Sequence, residues 1–311
     1  MKPSRDAWSF YWAQGNATSL PELFPQNYHG SLLEFWEQTF ANLRPGDRIL
    51  DICTGNGAIA LLAYEYALRK QLPCRIDGVD RADIRPATPA ATADSPVTLN
   101  FSPRIQAEHL PFPTGAIDLV VGQFALEYCN AAAVIPELLR VLKDSGRLAF
   151  MIHHSESLTV KSAAEFVVIG ETLLKAPSIF LRLRKCLALP LRKPAGREQA
   201  LKQLQSSLRK LEDLTKRYPD NRALGALGQR LNDLAGRVHE PGVAATGELA
   251  DLQERLEFHV RRARDLLQAA HDAERMTRLA GLMTDLGMKA PAFQPVCFEG
   301  TLLAWGLRVD T

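Results

Sequence analysis

Apolar positions along this chain keep two rhythms, and the way the rhythms alternate predicts the architecture. Short apolar runs rich in β-branched residues stand at 48–53, 74–80, 104–108, 116–123 and 147–153. Between them apolar residues recur at three- and four-residue spacing. Leu61, Leu62, Tyr64, Ala67 and Leu68 form one such stripe over about 57–70, and a second amphipathic stretch covers 130–143. The run Ala116–Gln123 is almost continuously apolar, which suits a strand buried on both faces. Strands alternating with helices predict a parallel, doubly wound α/β sheet. Residues 82–103, rich in Ala, Pro, Thr and Ser, read as a loop.

From about 156 to 273 the rhythm is helical throughout. Leu recurs over 200–217, 222–237 and 246–270 with Lys, Arg and Glu between, and no internal repeat is evident. A further helix finishes at Gly287. Two β-like runs, 292–299 and 301–309, then flank Glu299-Gly300 and predict a terminal hairpin. Because strands return after the helical block, that block is an insertion within one α/β domain. The expected division is an aromatic helical cap over 1–44, a core over 45–155 and 274–311, and a helical insertion over 156–273 serving as lid or dimerisation module. The cap carries Trp8, Phe10, Tyr11, Trp12, Phe24, Tyr28, Phe35, Trp36 and Phe40.

Composition narrows the class. Apolar content of 46%, charged content of 23% and a net charge of +2 are those of an ordinary globular protein with no global bias toward nucleic acid or membrane. The five cysteines are scattered without a CxxC pair, so they read as reduced thiols of a cytoplasmic protein, not as a disulfide or metal framework. No apolar leader and no run of 18 uncharged apolar residues occurs, which predicts neither signal peptide nor spanning helix.

The chemistry concentrates at Asp51-Ile52-Cys53-Thr54-Gly55-Asn56-Gly57. An apolar strand ends on an acid, passes through a Gly-x-Gly turn and opens into a helix, which is how an α/β protein holds a nucleotide-like cofactor. Gly55-Asn56-Gly57-Ala58-Ile59-Ala60 formally matches a dinucleotide fingerprint, with Asp80 some twenty residues on. Against that reading, Asp51 places a carboxylate where a pyrophosphate would be repelled, and the motif follows some 45 residues of aromatic helix. A carboxylate there suits a ligand carrying an ammonium.

At these residues the chain resembles the class I S-adenosylmethionine-dependent methyltransferases, and among them the small-molecule subgroup of ubiquinone/menaquinone methyltransferases. Asp51–Gly57 resembles the family's first motif and Asp80 its ribose-binding acid. Ala107-Glu108-His109-Leu110-Pro111-Phe112 resembles the loop beside the adenine, and Asp118–Tyr128 the fourth motif. The helix, Lys143, Gly146 and strand step resembles the following one, with a single glycine. The resemblance covers about 45–155 and 274–311. It implies a seven-stranded Rossmann-like sheet and S-adenosylmethionine as cofactor. It places Asp51, Thr54, Gly55, Asn56, Gly57, Asp80, Glu108, His109, Gln123 and Phe124 around that cofactor.

For the acceptor the sequence offers candidates. His153 and His154 follow the fifth strand at the edge where ligands bind, and Tyr128 lies beyond the fourth; these three are the expected catalytic residues. Alternate side chains point to opposite faces, so one histidine of the pair is expected to reach the site. A strand-end histidine without catalytic role is the simpler account of either. Tyr11, Trp12 and Tyr28 are the expected substrate contacts, as a lid or a cage for a cation; packing against the sheet edge is the alternative. No Asn/Asp-Pro-Pro-Tyr/Phe follows strand four, which argues against methylation of planar amino groups.

Residues 181–217 hold eleven Lys/Arg and three acids. This stretch is expected to meet an anionic surface or a carrier protein, or to be a solvated face of helices that form a homodimer. The leading expectation is therefore methyl transfer to oxygen, nitrogen or carbon of a small molecule. The alternatives are an RNA or protein methyltransferase docking through the basic helices, and a cofactor-binding interaction protein without transfer activity.

Overall fold

The computed structural model describes residues 6–87, 89, 95–188, 194–219, 221–239 and 243–310. Part of the segment expected as a loop (88 and 90–94), the first five residues of the expected cap, and Arg192 and Lys193 of the basic stretch lie outside the described residues.

Seven strands form one sheet: β1 Arg48–Ile52, β2 Cys74–Asp80, β3 Val97–Pro103, β4 Ile117–Gln123, β5 Leu142–His153, β6 Ala292–Phe298 and β7 Thr301–Asp310. Their order is β3-β2-β1-β4-β5-β7-β6. The first five run parallel, β7 returns antiparallel along β5, and β6 is antiparallel to β7. This is the Rossmann-like sheet with its terminal antiparallel pair. From β1 the chain builds outward through β2 and β3, then crosses back to β4 and β5. The order therefore reverses between β1 and β4, and the carboxyl ends of those strands frame a crevice.

Successive side chains leave a strand on opposite faces, and both faces are covered. Ile49, Ile76, Leu119, Val121 and Met151 share one apolar layer with Trp36 and Phe40 of α2 (Ser31–Phe40) and Ile59 and Ala63 of α3 (Ala58–Arg69). Leu50, Ile52, Val120, Leu148 and Phe150 share the other with Leu138 of α4 (Ala131–Val141) and Met276, Leu279 and Met283 of a later helix, Ala273–Asp285. Phe150 is fully buried, and its truncation to Ala is of the kind that costs about 3–5 kcal/mol.

Two expectations need correction. The third strand is not 104–108 but Val97–Pro103, inside the segment read as a loop, where it pairs in parallel with β2. The Pro, Ser and Thr content masked an alternation in which Val97, Leu99 and Phe101 face inward while Thr98, Asn100 and Ser102 face water. An edge strand needs only that one apolar face, and Pro103 at its end removes no ladder bond of consequence. Arg104 sits at φ 62° and breaks the extension. Strand five starts at Leu142, not Arg147, because Leu142 turns extended (φ −71°, ψ 145°) and pairs with Ile117.

By internal contact the chain divides into two compact units, Met1–Ser162 with Asp265–Thr311, and Ala163–Arg264. The second is all-helical. Helices Leu158–Leu174 and Val243–Ala269 lead into and out of it, and Ile179–Ala188, Pro194–Arg217 and Arg222–Gly236 complete it. It has its own apolar core, with Phe180, Leu183, Leu231, Leu234 and Leu249 buried. At the neck of the first unit, His271 N–H donates to the His153 carbonyl at 2.8 Å and Ser155 N–H donates to the His271 carbonyl at 2.9 Å. No helix among the described residues is long and apolar enough to cross a membrane.

Candidate functional site

β1 delivers Asp51 to the carboxyl edge of the sheet, and the following turn is built from left-handed residues: Cys53 at φ 50°, Gly55 at 56° and Gly57 at 88°. Gly57 opens α3. Asp51 is buried; its Oδ2 accepts Thr54 Oγ1–H at 2.5 Å and Ala60 N–H at 3.1 Å. Its Oδ1 is buried with no partner. Burial pushes this carboxyl up to about 7, against the lowering effect of its two donors, and the nearby Asp80 charge adds to the rise.

Asp80, at the end of β2, accepts Gly55 N–H at 2.8 Å through Oδ2 and Ala82 N–H at 2.7 Å through Oδ1. Burial raises it above the ordinary carboxylate range although both donors oppose the rise. An ionised carboxylate has about four lone-pair sites, so acceptor capacity remains on each oxygen.

β4 ends in Gln123, whose Oε1 accepts the Trp36 indole N–H at 2.6 Å and whose Nε2 is buried without a partner. Phe124, at φ 54°, donates its N–H to the Met151 carbonyl at 2.8 Å and stacks on His153 with centroids 3.8 Å apart. Glu127 accepts His153 N–H at 2.8 Å through Oε1. Burial pushes its carboxyl up to about 8.

The N-terminal segment lies over these strand ends. Asp6 caps α1 (Ala7–Trp12) by accepting Trp8 and Ser9 N–H, both at 3.0 Å. Trp12 stands on Gly55: a Cβ there would lie 2.3 Å from the indole. Asn56 fastens this arrangement, its Nδ2 donating to the Trp12 and Asn16 carbonyls at 3.0 and 2.8 Å and its Oδ1 accepting Arg85 N–H at 3.0 Å. Trp8 meets Tyr128 edge-on at 5.5 Å, and Asp83 N–H donates to Ser9 Oγ at 2.9 Å. Three strand-end loops are thus tied to one short helix.

Beneath the helix is a concave cavity, open to solvent at its mouth, and such clefts are where small ligands bind. Every residue lining it belongs to the first unit. Of the residues expected around a cofactor, Asp51, Thr54, Asp80, Glu108, Gln123 and Phe124 line it. Gly55, Asn56, Gly57 and His109 do not. The glycines shape the turn, Asn56 holds the N-terminal segment, and His109 N–H closes a turn onto the Gln106 carbonyl at 3.0 Å.

Of the expected substrate contacts, Trp12 and Tyr28 line the cavity. Tyr11 is not among the lining residues, and its hydroxyl donates to the Thr18 carbonyl at 2.6 Å. Of the expected catalytic residues, Tyr128 lines the cavity and the two histidines do not. His153 lies behind Phe124. His154 faces the other way, stacked on Trp305 at 4.3 Å with its Nδ1 accepting Glu156 N–H at 3.1 Å.

Sequence reasoning missed Trp8, Thr18, Ser19, Cys53 and Cys129, all of which line the cavity. Trp8 carried a signal, since it lies four residues before Trp12 on one helix face. Cys53 and Cys129 carried none: they are 76 residues apart in sequence, yet their Sγ atoms lie 3.8 Å apart. Among the described residues no cluster of His, Cys, Asp or Glu could hold a metal ion.

The donor set fits a ligand with an ammonium and a pair of hydroxyls. The orphaned Asp51 oxygen asks for a cationic N–H, and a pyrophosphate at the same turn would face two carboxylates. Residues 49–146 match the model of a methyltransferase domain family. No curated protein matches the sequence.

Three solved structures are among those with similar folds. One is a chain from the complex of the Haloferax volcanii Trm112 methyltransferase activator with a methyltransferase (21% identity, 48% of this chain and 60% of that one, TM-score 0.35). The second is an S-adenosylmethionine-dependent methyltransferase from Aquifex aeolicus (18%, 48% and 74%, 0.34). The third, from Methanosarcina mazei, is also an S-adenosylmethionine-dependent methyltransferase (14%, 92% and 98%, 0.40). The chain spans 60% of the first of these relatives. The family match is to a methyltransferase domain over residues 49–146.

Proposed function

We propose that the protein transfers the methyl group of S-adenosylmethionine to an oxygen, nitrogen or carbon of a small, partly apolar molecule held beneath α1. The observation that carries this reading is the buried Asp51 oxygen without a partner, in a cavity at the point where the sheet order reverses.

When bound, the cofactor supplies a methyl group already activated on a sulfonium. What the chain must do is position. Asp51 accepts the ammonium of the methionine part, and Asp80 offers its remaining lone pairs to the ribose hydroxyls. Glu108 closes the adenine side. Trp8, Trp12 and Phe124 form apolar walls that exclude water, and the indoles favour a nearby cation by about 0.5–2 kcal/mol. Fixing donor and acceptor in near-attack geometry supplies up to about 7–11 kcal/mol. A base is required only for an acceptor that loses its proton; Tyr128 then stands nearest, with His153 behind Phe124.

The test has two arms. Calorimetry with S-adenosylhomocysteine should show binding that weakens at least tenfold in D80A and D51N. Labelled methyl transfer into fractionated metabolite extract should give a small-molecule product. Binding without any small-molecule product would oppose this acceptor class, and labelled RNA or protein would replace it.

A further inference from the structure

The orientation of Gln123 determines what kind of acceptor the cavity is built to receive. An amide side chain has one accepting end and one donating end, and which is which follows from its partners. Trp36 settles the matter here, because an indole N–H can only donate. The atom 2.6 Å from Trp36 Nε1 must therefore be Gln123 Oε1. Trp36 is itself fully buried in α2, so the amide is held from behind by a rigid group.

The donating end is then left for the cavity that Gln123 lines: among the described residues Nε2 makes no hydrogen bond of ordinary length to the protein. The Tyr28 phenol, whose pKa burial raises and the amide helps to lower, is its one neighbouring acceptor among those residues. Gln123 is 9% exposed, and leaving a buried donor unmade costs about 1–3 kcal/mol. A ligand that supplies the missing acceptor recovers that cost; a ligand that presents only hydrocarbon does not.

The neighbouring groups extend the same polar corner. Thr18, Ser19 and Tyr28 line the cavity with Gln123. Tyr28 OH accepts Ser19 N–H at 3.3 Å and shares a hydrogen bond with Ser19 Oγ at 3.0 Å. Burial pushes this phenol up to about 12, so it stays protonated. The two carboxylates, Asp51 and Asp80, belong to the first two strands. Gln123 belongs to the fourth, across the crevice from them.

We infer that Gln123, locked by Trp36, is a specificity residue whose Nε2 binds a carbonyl or carboxylate oxygen of the methyl acceptor. The inference rests on the methyltransferase reading above and reassigns Gln123 from cofactor contact to acceptor contact. The acceptor is thereby narrowed to molecules carrying such an oxygen close to the methylated atom. An oxygen held by a neutral N–H donor also tolerates charge developing on it, as when an enolisable carbon or a phenol beside a carbonyl is methylated.

The experiment uses the full-length protein with and without S-adenosylhomocysteine, and two probes of matched shape, acetophenone and ethylbenzene, followed by ligand-observed NMR titration. The wild-type protein should bind the ketone about tenfold more tightly than the hydrocarbon. Q123M, which keeps the volume and removes the donor, should lose that preference. Q123E keeps an acceptor for Trp36 and replaces the donor, and should lose it too. In both variants affinity for S-adenosylhomocysteine should stay within about twofold of wild type.

Equal binding of the two probes, no binding of the ketone, or a preference that survives Q123M would each overturn the inference. A tenfold loss of S-adenosylhomocysteine affinity in Q123M with the ketone preference intact would return Gln123 to the cofactor and leave the methyltransferase reading standing. Selective ketone binding lost in Q123M, in a protein that takes no S-adenosylhomocysteine, would keep the subsite and sink the methyltransferase reading.

Discussion

The indole of Trp12 occupies the space that a side chain on Gly55 would need, with the nearest ring carbon 2.3 Å from the position of a Cβ. The glycine of the cofactor turn is thus fixed from two directions, by its positive φ and by the helix above it. Gly55→Ala is expected to destabilise the protein by about 1–3 kcal/mol through overpacking and to weaken S-adenosylhomocysteine binding at least tenfold. Thermal melts and calorimetry check both. Adding Trp12→Ala should return part of the lost stability; no recovery would mean that backbone strain at Gly55 dominates.

Asn56 contributes three hydrogen bonds, two to the N-terminal segment and one from Arg85 N–H. Asn56→Ala is expected to free residues 8–16 while leaving the sheet intact. Hydrogen exchange should accelerate there by tenfold or more, as for the loss of one to two buried hydrogen bonds, with protection in β1 and β4 unchanged. Uniform acceleration across the sheet would instead make Asn56 a general stability residue.

Asp51 predicts a pH dependence of defined sign. Its carboxyl lies at about 7 in the folded chain, above the ordinary 3.8. A raised acid favours the folded state fully below the ordinary value, and that contribution is lost as pH rises through about 7. Binding the cofactor's ammonium calls for the carboxylate. Uptake of S-adenosylhomocysteine at pH 6 should therefore release a proton, and affinity should rise from pH 6 to pH 8. Calorimetry in buffers of differing ionisation heat measures the proton. Release undiminished in D51N would assign it elsewhere.

Cys53 and Cys129 bring two thiols together on the cavity wall. The hydrogen bond with Cys129, together with burial, holds the Cys53 thiol well above the ordinary range, so a thiol oxidant should react slowly at Cys53. Diamide, which takes up the two protons and two electrons, is expected to link the pair and to lower S-adenosylhomocysteine affinity reversibly. Peptide mapping under non-reducing conditions and recovery with dithiothreitol check this. A different pairing would show that the proximity has no chemical consequence.

The basic stretch of the second unit bears on the competing acceptor class. Lys202 and Lys216 are each paired with an acid one turn away, Glu198 and Glu212 at 2.8 and 2.7 Å. Arg182 donates to the Gln203 carbonyl and to Ser207. With part of its charge engaged locally, this surface is expected to bind RNA weakly and with a shallow dependence on salt. A steep loss of RNA binding between 50 and 200 mM salt, of about a thousandfold, would favour the RNA reading. Replacing 163–264 by a flexible linker is expected to leave S-adenosylhomocysteine affinity within about threefold, because the cavity is lined wholly from the first unit.

Legibility in the sequence followed how local each signal was. β1 and β4 were readable because a strand buried on both faces is a nearly continuous apolar run, and β2 because its β-like run ends on an acid, Asp80. β3 was not, because an edge strand needs one apolar face, and its proline and serines imitate a loop. The Asp51 turn was readable because positive φ demands glycine at set positions. The roles of Asn56 and Gln123 were not, since each depends on a partner far away in sequence, Trp12 for one and Trp36 for the other. His153 and His154 show the limit of period-two reasoning: both stand at the right strand end, yet Phe124 covers one and Trp305 the other.

The pairing of His153 and Ser155 with His271 gives the core a seam. The chain leaves the sheet for more than a hundred residues and re-enters beside the residue at which it left, so the route between is a detour that the sheet does not need. A core closed at its own seam can exchange one detour for another without relearning how to fold. The detour can then vary while the strand ends that line the cavity stay as they are.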